Sequence, residues 1–458
     1  MGKTLIYQML PRLWGEGRMS SVDDATLDYL RGLGMTHVWC TGIIRHSTGQ
    51  PFVKGDAGSP YAISDYYDVN PYLASDPLLR MTEFDALVSR VHSHGLGLVI
   101  DFVPNHVGCD YADAHGGIPL CGWHDYDWTD TVKIDYNATG TWEAMYRIVR
   151  FWASKGVDGF RCDMVELVPP EFLKWLIARI KEEFPEVIFI AEVYQKERYR
   201  RYIEDVRFDY LYDKSGLYDA LRAVAAGHGT ARAVTWNWQF LQDLQPHMLN
   251  FLENHDEQRL ASPWFAGRPD FYAALCASLM LNTAPFMIYF GQEIGVDASE
   301  GHEGRTSIFN FAKPASLQRL CAFIHSSGAS AIAGSEGSAI AGSERQSRCL
   351  STGELSVLEN YRAALRLAAG RCVGEGLTYD LCYCQSAADG FDPDRHFAFL
   401  RHSGSQTILF VCNFSASEAR MTIRISRHAV EYLGLGTETG PDGIPVTVAP
   451  LGYTAIPL

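Results

Sequence analysis

Arg161 and Asp163 stand two residues apart in Gly159-Phe160-Arg161-Cys162-Asp163, at the end of an apolar run that begins near Val157. Side chains two apart on a strand share a face, which puts the guanidinium and the carboxylate in mutual reach. A guanidinium lowers the pKa of a neighbouring carboxylate and keeps it ionised, so Asp163 reads as a poised anionic nucleophile. For a pair standing alone, an ion pair closing a strand end would be the simpler reading. Three further apolar runs end in reactive side chains: Asp101 with Asn105 and His106, Glu192 after Ile190-Ala191, and Glu253-Asn254-His255-Asp256. Each singly resembles a helix cap. Together they gather like charges on one rim, which destabilises a fold unless function requires it.

Asp163, Glu192 and Asp256 thus offer three carboxylates to one cleft, and two chemistries use such a set. A retaining glycosidase needs an ionised nucleophile and a protonated acid ~5–5.5 Å apart. Repulsion and partial desolvation would raise the pKa of Glu192 and leave Arg161-paired Asp163 ionised. A metal-dependent lyase or hydrolase would use the same carboxylates as ligands. Against it, the first strand carries no His-x-His pair. His92-Ser93-His94 lies between a helix and a strand, at the opposite face of the fold.

The elements that must position these residues alternate between short apolar runs and stretches of helical period, the pattern of an α/β protein with parallel strands. Strands are predicted at about 4–10, 36–41, 97–103, 157–162, 187–191, 208–212, 248–252 and 285–290. Helices are predicted at about 22–33 (Ser21 as N-cap), 82–94, 141–154, from Pro169-Pro170 onward, 215–226, 270–282 and 354–369. Eight strand-then-helix units predict a closed (β/α)8 barrel over residues 1–376. Periodicity is lost from 107 to about 140, a short excursion after strand 3 rich in Gly, Asp, His and Trp. Beyond 376 the pattern becomes period two, at 378–384, 395–402, 406–413, 419–425 and 444–456, which predicts a C-terminal antiparallel β-sandwich over 377–458. Within 326–350, Ser330–Gly337 is followed by its near copy Ser338–Arg345, a Gly/Ser-rich duplication read as a flexible loop.

Composition narrows the partners. With 39 basic and 54 acidic residues the net charge is −15, which argues against nucleic acid or an anionic membrane surface. Eleven cysteines, scattered and without a CxxC pair, read as reduced thiols rather than a disulfide framework or zinc site. No window approaches the ~18 apolar residues of a membrane span. A strand beginning at Thr4 leaves no room for a leader, so a cytoplasmic monomer or simple oligomer is expected.

Four motifs, Asp101-Phe-Val-Pro-Asn-His106, Gly159-Phe-Arg-Cys-Asp163, Ile190-Ala-Glu-Val193 and Phe251-Leu-Glu-Asn-His-Asp256, resemble the short conserved regions of the α-amylase family of glycoside hydrolases, family 13. They fall in that family's order, on strands 3, 4, 5 and 7. The resemblance implies cleavage of α-1,4-glucosidic bonds in starch, glycogen or maltooligosaccharides, with Asp163 as nucleophile, Glu192 as acid/base and Asp256 as the third carboxylate. It implies that Asp101, His106, Arg161 and His255 serve the sugar at the point of scission and that Tyr61 stacks on it, although Pro60 and Ala62 depart from the usual flanking residues. The same chemistry with a sugar acceptor would make a transglycosylase or isomerase. A non-catalytic glycan-binding barrel is disfavoured because all three carboxylates are present.

Lys133-Ile-Asp-Tyr-Asn137 resembles the fifth region, in the excursion. Calcium-dependent members carry Lys-His shortly after the nucleophile, where this chain has Glu166 and Leu167. Asn105 and Asp135 remain as oxygen donors, but calcium wants six to eight. No cofactor is therefore expected. Among the aromatics, one or two tryptophans of the excursion are expected to line the cleft.

Overall fold

The computed structural model describes residues 2–49, 53–111, 117–332, 349–404, 406–435 and 443–458. Eight parallel strands close a barrel: β1 (Leu5–Met9), β2 (His37–Cys40), β3 (Gly97–Phe102), β4 (Gly159–Cys162), β5 (Ile188–Ala191), β6 (Tyr210–Tyr212), β7 (Met248–Phe251) and β8 (Phe286–Tyr289). Each pairs with its sequence neighbours and β8 closes on β1. These strands are buried on both faces, so they read as continuous apolar runs instead of alternating ones.

The outer helices are α1 (Asp24–Gly32), α2 (Arg80–Ser93), α3 (Thr141–Ser154), α4 (Pro170–Glu183), α5 (Asp219–Ala225), α6 (Arg232–Leu241), α7 (Tyr272–Leu279), α8 (Ala315–Ile332) and α9 (Thr352–Ala369). On α3, Ala144, Met145, Ile148, Val149 and Trp152 form the buried stripe, at the spacing of one helical face. Pro170 opens α4 as expected. Ser21 does not cap α1; Asp23 does, accepting from the Thr26 amide at 3.0 Å, while Ser21 Oγ accepts from Glu16 N. The single helix expected after β8 is two helices, and α6 was not foreseen. The duplicated segment falls largely on residues 333–348, outside those described; the part from 326 to 332 continues α8 and is not a loop.

The C-terminal region holds an antiparallel sheet, β9 (Leu377–Asp380), β10 (His396–Ser403), β11 (Gln406–Asn413) and β14 (Tyr453–Pro457), and a hairpin of β12 (Ala419–Ile423) and β13 (Ile444–Val448). Phe397, Phe399, Ile408 and Phe410 face the barrel core. The alternating residues Ala398, Leu400, Leu409 and Val411 pack on Met421, Ile423, Val446 and Val448. That alternation is what period two provides. The run at 444–456 is two strands in different sheets, with a turn at Leu451 whose φ is +51°. A helix, α10 (Arg427–Leu433), adds Ala429 and Leu433 to this second core.

Candidate active site

Parallel register brings the reactive side chains together at the carboxyl ends of the strands. Asp101 on β3 lies opposite Arg161 on β4, and Cys162 opposite Ala191 on β5. The next residues continue the ladder: Asp163 N donates to Phe102 O at 2.9 Å and Glu192 N to Cys162 O at 3.2 Å. Gly159 starts β4 because a Cβ there would sit 2.6 Å from Ile188 Cγ1.

Arg161 is the centre of the arrangement and is fully buried. Its Nη1 donates to Asp163 Oδ1 at 2.6 Å and lies 3.7 Å from Asp101 Oδ1; its Nη2 lies 2.9 Å from Glu192 Oε2. Nε donates to Tyr212 Oη at 3.3 Å. One guanidinium therefore faces three buried carboxyls. Asp101 also accepts from Trp39 Nε1 at 3.1 Å and from Tyr61 Oη at 3.3 Å. Tyr61 Oη bonds His255 Nε2, and the two rings stack at 5.2 Å. His255 Nδ1 lies 2.7 Å from Gln8 Nε2 on β1, and its Nε2 is 3.0 Å from Asp256 Oδ2. Asn254 Oδ1 accepts from the amides of Asp256 and Glu257 at 2.8 and 2.9 Å, a local turn that aims Asp256 into the cleft. The Asp256 side chain is 41 % exposed there.

Charge and burial set the protonation states. Burial raises the pKa of Glu192 above the ordinary range, Arg161 opposes it, and Asp163 and Asp256 add to it. Burial also raises Asp163, and Arg161 does not fully offset this. Arg161 lowers Asp163 as expected, but desolvation outweighs a guanidinium that three carboxyls share, so the net shift is upward and not downward. Asp101 is raised for the same reason. Asp256 is the carboxylate held low, by His255 and the more distant Arg161 and Arg305, against its partial desolvation in the cleft. Burial pushes His106 down to about 4, so it is neutral at ordinary pH.

Asp163, Glu192, Asp256, Tyr61, His106 and Trp128 line a cavity of about 480 Å³. Trp128, from the excursion, lies 5.3 Å from the His106 ring, in keeping with the expectation of a tryptophan at the cleft. Lys54 Nζ reaches Asp130 at 3.3 Å across its wall. Arg305 donates to Asp256 O at 2.8 Å and pairs with Glu303 at 2.9 Å.

Several groups at the site were not singled out from sequence. Tyr194 Oη donates to Glu192 Oε1 at 2.6 Å, and Met164 N to Glu192 Oε2 at 2.9 Å. Met164 holds φ at +43°, a strained left-handed turn for a non-glycine residue that delivers this amide. Glu166 accepts from the amides of Tyr194 and Gln195 at 2.9 and 3.2 Å. The departure at this position therefore fastens the loop that carries Tyr194. Tyr194 lies two residues beyond Glu192, so the same-face rule that paired Arg161 with Asp163 could have found it. Gln8, Trp39 and Tyr212 come from distant strands, and no sequence spacing marks them.

The two oxygen donors considered for calcium are engaged otherwise. Asn105 Oδ1 accepts from Lys133 Nζ at 3.0 Å, and Asp135 Oδ1 accepts from Asn137 N at 2.9 Å. Among the described residues no group of three or more His, Cys, Asp or Glu side chains could hold a metal ion. His92 and His94 lie at the other end of the barrel, paired with Asp158 at 2.8 Å and Asp28 at 3.6 Å.

The model of the α-amylase catalytic domain matches residues 15–118 and 121–322, more than half of the sequence. The chain belongs to the α-amylase family. Among curated members it is similar to the alpha-1,4-glucan:maltose-1-phosphate maltosyltransferase of Cereibacter sphaeroides, 29% identical over 45% of this chain and 34% of that protein. It is also similar to alpha-amylase MalA of Haloarcula japonica, 27% identical over 64% of this chain and 44% of that protein. The chain therefore spans less than half the length of these two relatives. A solved maltogenic alpha-amylase, AmyB of Thermotoga neapolitana, shares the fold with a TM-score of 0.69 at 22% identity, over 99% of this chain and 96% of that one. AmyP in complex with maltose does so with a TM-score of 0.71 at 16% identity, over 99% and 96%. No helix among the described residues is long and apolar enough to cross a membrane.

Proposed function

We propose that this α-amylase-family chain is a retaining hydrolase of α-1,4-glucosidic bonds in starch, glycogen or maltooligosaccharides, with residues 1–376 as its catalytic unit. The observation that carries this reading is the single buried guanidinium of Arg161, which holds Asp163 at 2.6 Å and Glu192 at 2.9 Å on neighbouring nitrogens. Two carboxyls on one guanidinium are in keeping with the short separation of about 5–5.5 Å that double displacement uses. Two carboxyls this close under one positive charge do not both ionise readily, and Glu192, raised by burial and by its neighbours, takes the proton.

In the first step Asp163 Oδ2, the oxygen not bonded to Arg161, attacks the anomeric carbon. The glycosidic C–O bond breaks, and the Glu192 proton passes to the departing oxygen. In the second step Glu192 takes a proton from water, the water oxygen attacks the anomeric carbon, and Asp163 leaves as carboxylate. Asp256, held ionised by His255, accepts hydrogen bonds from ring hydroxyls and favours the distorted ring. His106, neutral, and His255 serve the same sugar, Asp101 anchors Tyr61, and Tyr61 presents its ring to the pyranose face. Met164 N and Tyr194 Oη orient Glu192.

A sugar hydroxyl in place of water would give a transferase by the same two steps, and the named activity of the Cereibacter relative keeps that reading open. Product analysis on maltoheptaose, with the anomer of the first product followed by NMR, tests both. An α-anomer and free oligosaccharides are expected. A β-anomer overturns retention, and products longer than the substrate establish transfer. Asp163→Asn and Glu192→Gln should each remove nearly all activity without unfolding the chain; full activity in either overturns the assignment.

A further inference from the structure

We propose that the Lys133 ammonium is a built-in cation that takes the oxygens a calcium ion would need, pins the excursion to the end of β3, and so positions His106 and Trp128. Lys133 Nζ donates to Asp125 Oδ2 at 2.7 Å and to Asn105 Oδ1 at 3.0 Å, and it lies 5.2 Å from the centre of the Trp123 ring. Asn105 Nδ2 closes the triangle by donating to Asp125 Oδ2 at 2.9 Å. The Lys133 and Asp125 side chains are only 16 % and 14 % exposed, and Asn105 is buried. Two oxygens and a ring face suit an ammonium's three donors. They do not suit calcium, which takes six to eight oxygens at 2.3–2.6 Å and would have to displace the ammonium from the same two atoms. Among the described residues Asp125 is the only carboxylate paired with the Lys133 ammonium. Asp135 is turned back onto its own loop, and Asp130 is paired with Lys54.

The clip reaches the cleft by two short paths. Asn105 precedes His106 in the chain, and the backbone ladder sets His106 opposite Lys133 and Val107 opposite Val132. Ile134 N donates to Asn105 O at 3.0 Å, which fixes Lys133 and the β3 end as one piece. Asp125 lies three residues before Trp128, whose amide donates back to Asp125 O at 3.2 Å. Lys133 touches neither reacting carboxyl, so it acts as a positioning residue. The effect on turnover rests on the function proposed above; the cation replacement does not.

Thermal melts and kinetics on the full chain separate the two. The wild-type Tm should be unmoved by EDTA or by millimolar calcium chloride. Lys133→Met should lower Tm by a few degrees and kcat/KM on maltoheptaose about tenfold, chiefly through KM, while Lys133→Arg keeps most of both. Lys133→Ala should regain Tm with propylammonium chloride and not with calcium. His106→Ala combined with Lys133→Met should be slower than His106→Ala alone by less than the full Lys133→Met factor, the remainder passing through Trp128. Loss of wild-type Tm in EDTA with recovery in calcium overturns the replacement, as does rescue of Lys133→Ala by calcium. A Lys133→Met variant with wild-type Tm overturns the clip, and additive losses in the double variant overturn the positioning role. Absence of activity on every α-glucan would overturn the proposed function and leave the melts to decide the clip.

Discussion

Two cation-centred clusters lie next to each other at the barrel mouth, and they are built on opposite accounts of charge. Around Arg161, one positive charge meets Asp101, Asp163 and Glu192, all buried. Around Lys133, one positive charge meets one carboxylate, Asp125, and a neutral amide, Asn105. The first is over-supplied with negative charge, and burial raises its carboxyls. The second is balanced: burial works to raise Asp125, but Lys133 and Asn105 bring it below the ordinary range. An unbalanced cluster holds a transferable proton, and a balanced one holds a loop in place. On the function and the clip proposed above, the chain uses the same interaction for reactivity in one place and for rigidity in another.

The sharpest break removes the proposed nucleophile from the unbalanced cluster. Asp163→Asn is expected to lower kcat on maltoheptaose by at least about 10³-fold, read by reducing-sugar release. Removing the cation instead, with Arg161→Met, leaves three buried carboxyls without their counter-charge. Loss of a buried partner costs about 3–5 kcal/mol, read by denaturant unfolding, and activity should vanish with it.

The comparison also predicts opposite pH signs. Groups whose folded pKa is raised stabilise the fold below their unfolded pKa and lose that contribution as pH rises through the folded value. Glu192→Gln should therefore raise Tm at neutral pH, and the gain should disappear below the ordinary carboxylate range. Asp125, whose folded pKa is lowered, stabilises above its unfolded value and loses that contribution as pH falls through the folded one. Asp125→Asn should accordingly lower Tm at neutral pH and matter little in acid. Melts of both variants across pH check the two signs together.

A smaller effect probes the proton itself. Activity should fall on the alkaline side as Glu192 ionises. The Tyr194 hydrogen bond lowers the Glu192 pKa, so Tyr194→Phe should move that limb to higher pH with a change in maximal kcat of less than about tenfold. A limb that stays in place or moves down would show that Tyr194 does not govern this proton.

The barrel was legible because burial on both faces forces apolar runs, and eight of them alternate with helical periods. Pro170 and the α3 stripe were readable for equally local reasons. The helices α6, α8 and α10 were not, although Leu317, Leu320, Cys321 and Ile324 carry a helical stripe; the Gly/Ser duplication drew the segment toward a loop. Ser21 lost the α1 cap to Asp23 by two residues, a margin that cap preferences do not resolve because both types are favoured. At the site, side chains on strand ends were visible from spacing and motif. Gln8, Trp39 and Tyr212 were invisible because their roles depend on which strands become neighbours around the closed barrel.

The sequence by itself determined the eight-stranded frame, the family resemblance and the identity of the carboxylates on strands 4, 5 and 7, because periodicity and residue type are local properties. Only the tertiary structure decided how charge is shared among them. Whether Arg161 serves one carboxyl or three, and whether Asn105 meets a metal or Lys133, depends on distances of a few ångströms between segments far apart in the chain. Electrostatic energy in a buried site turns on those distances and on the loss of water around them, and neither is written in the order of the residues.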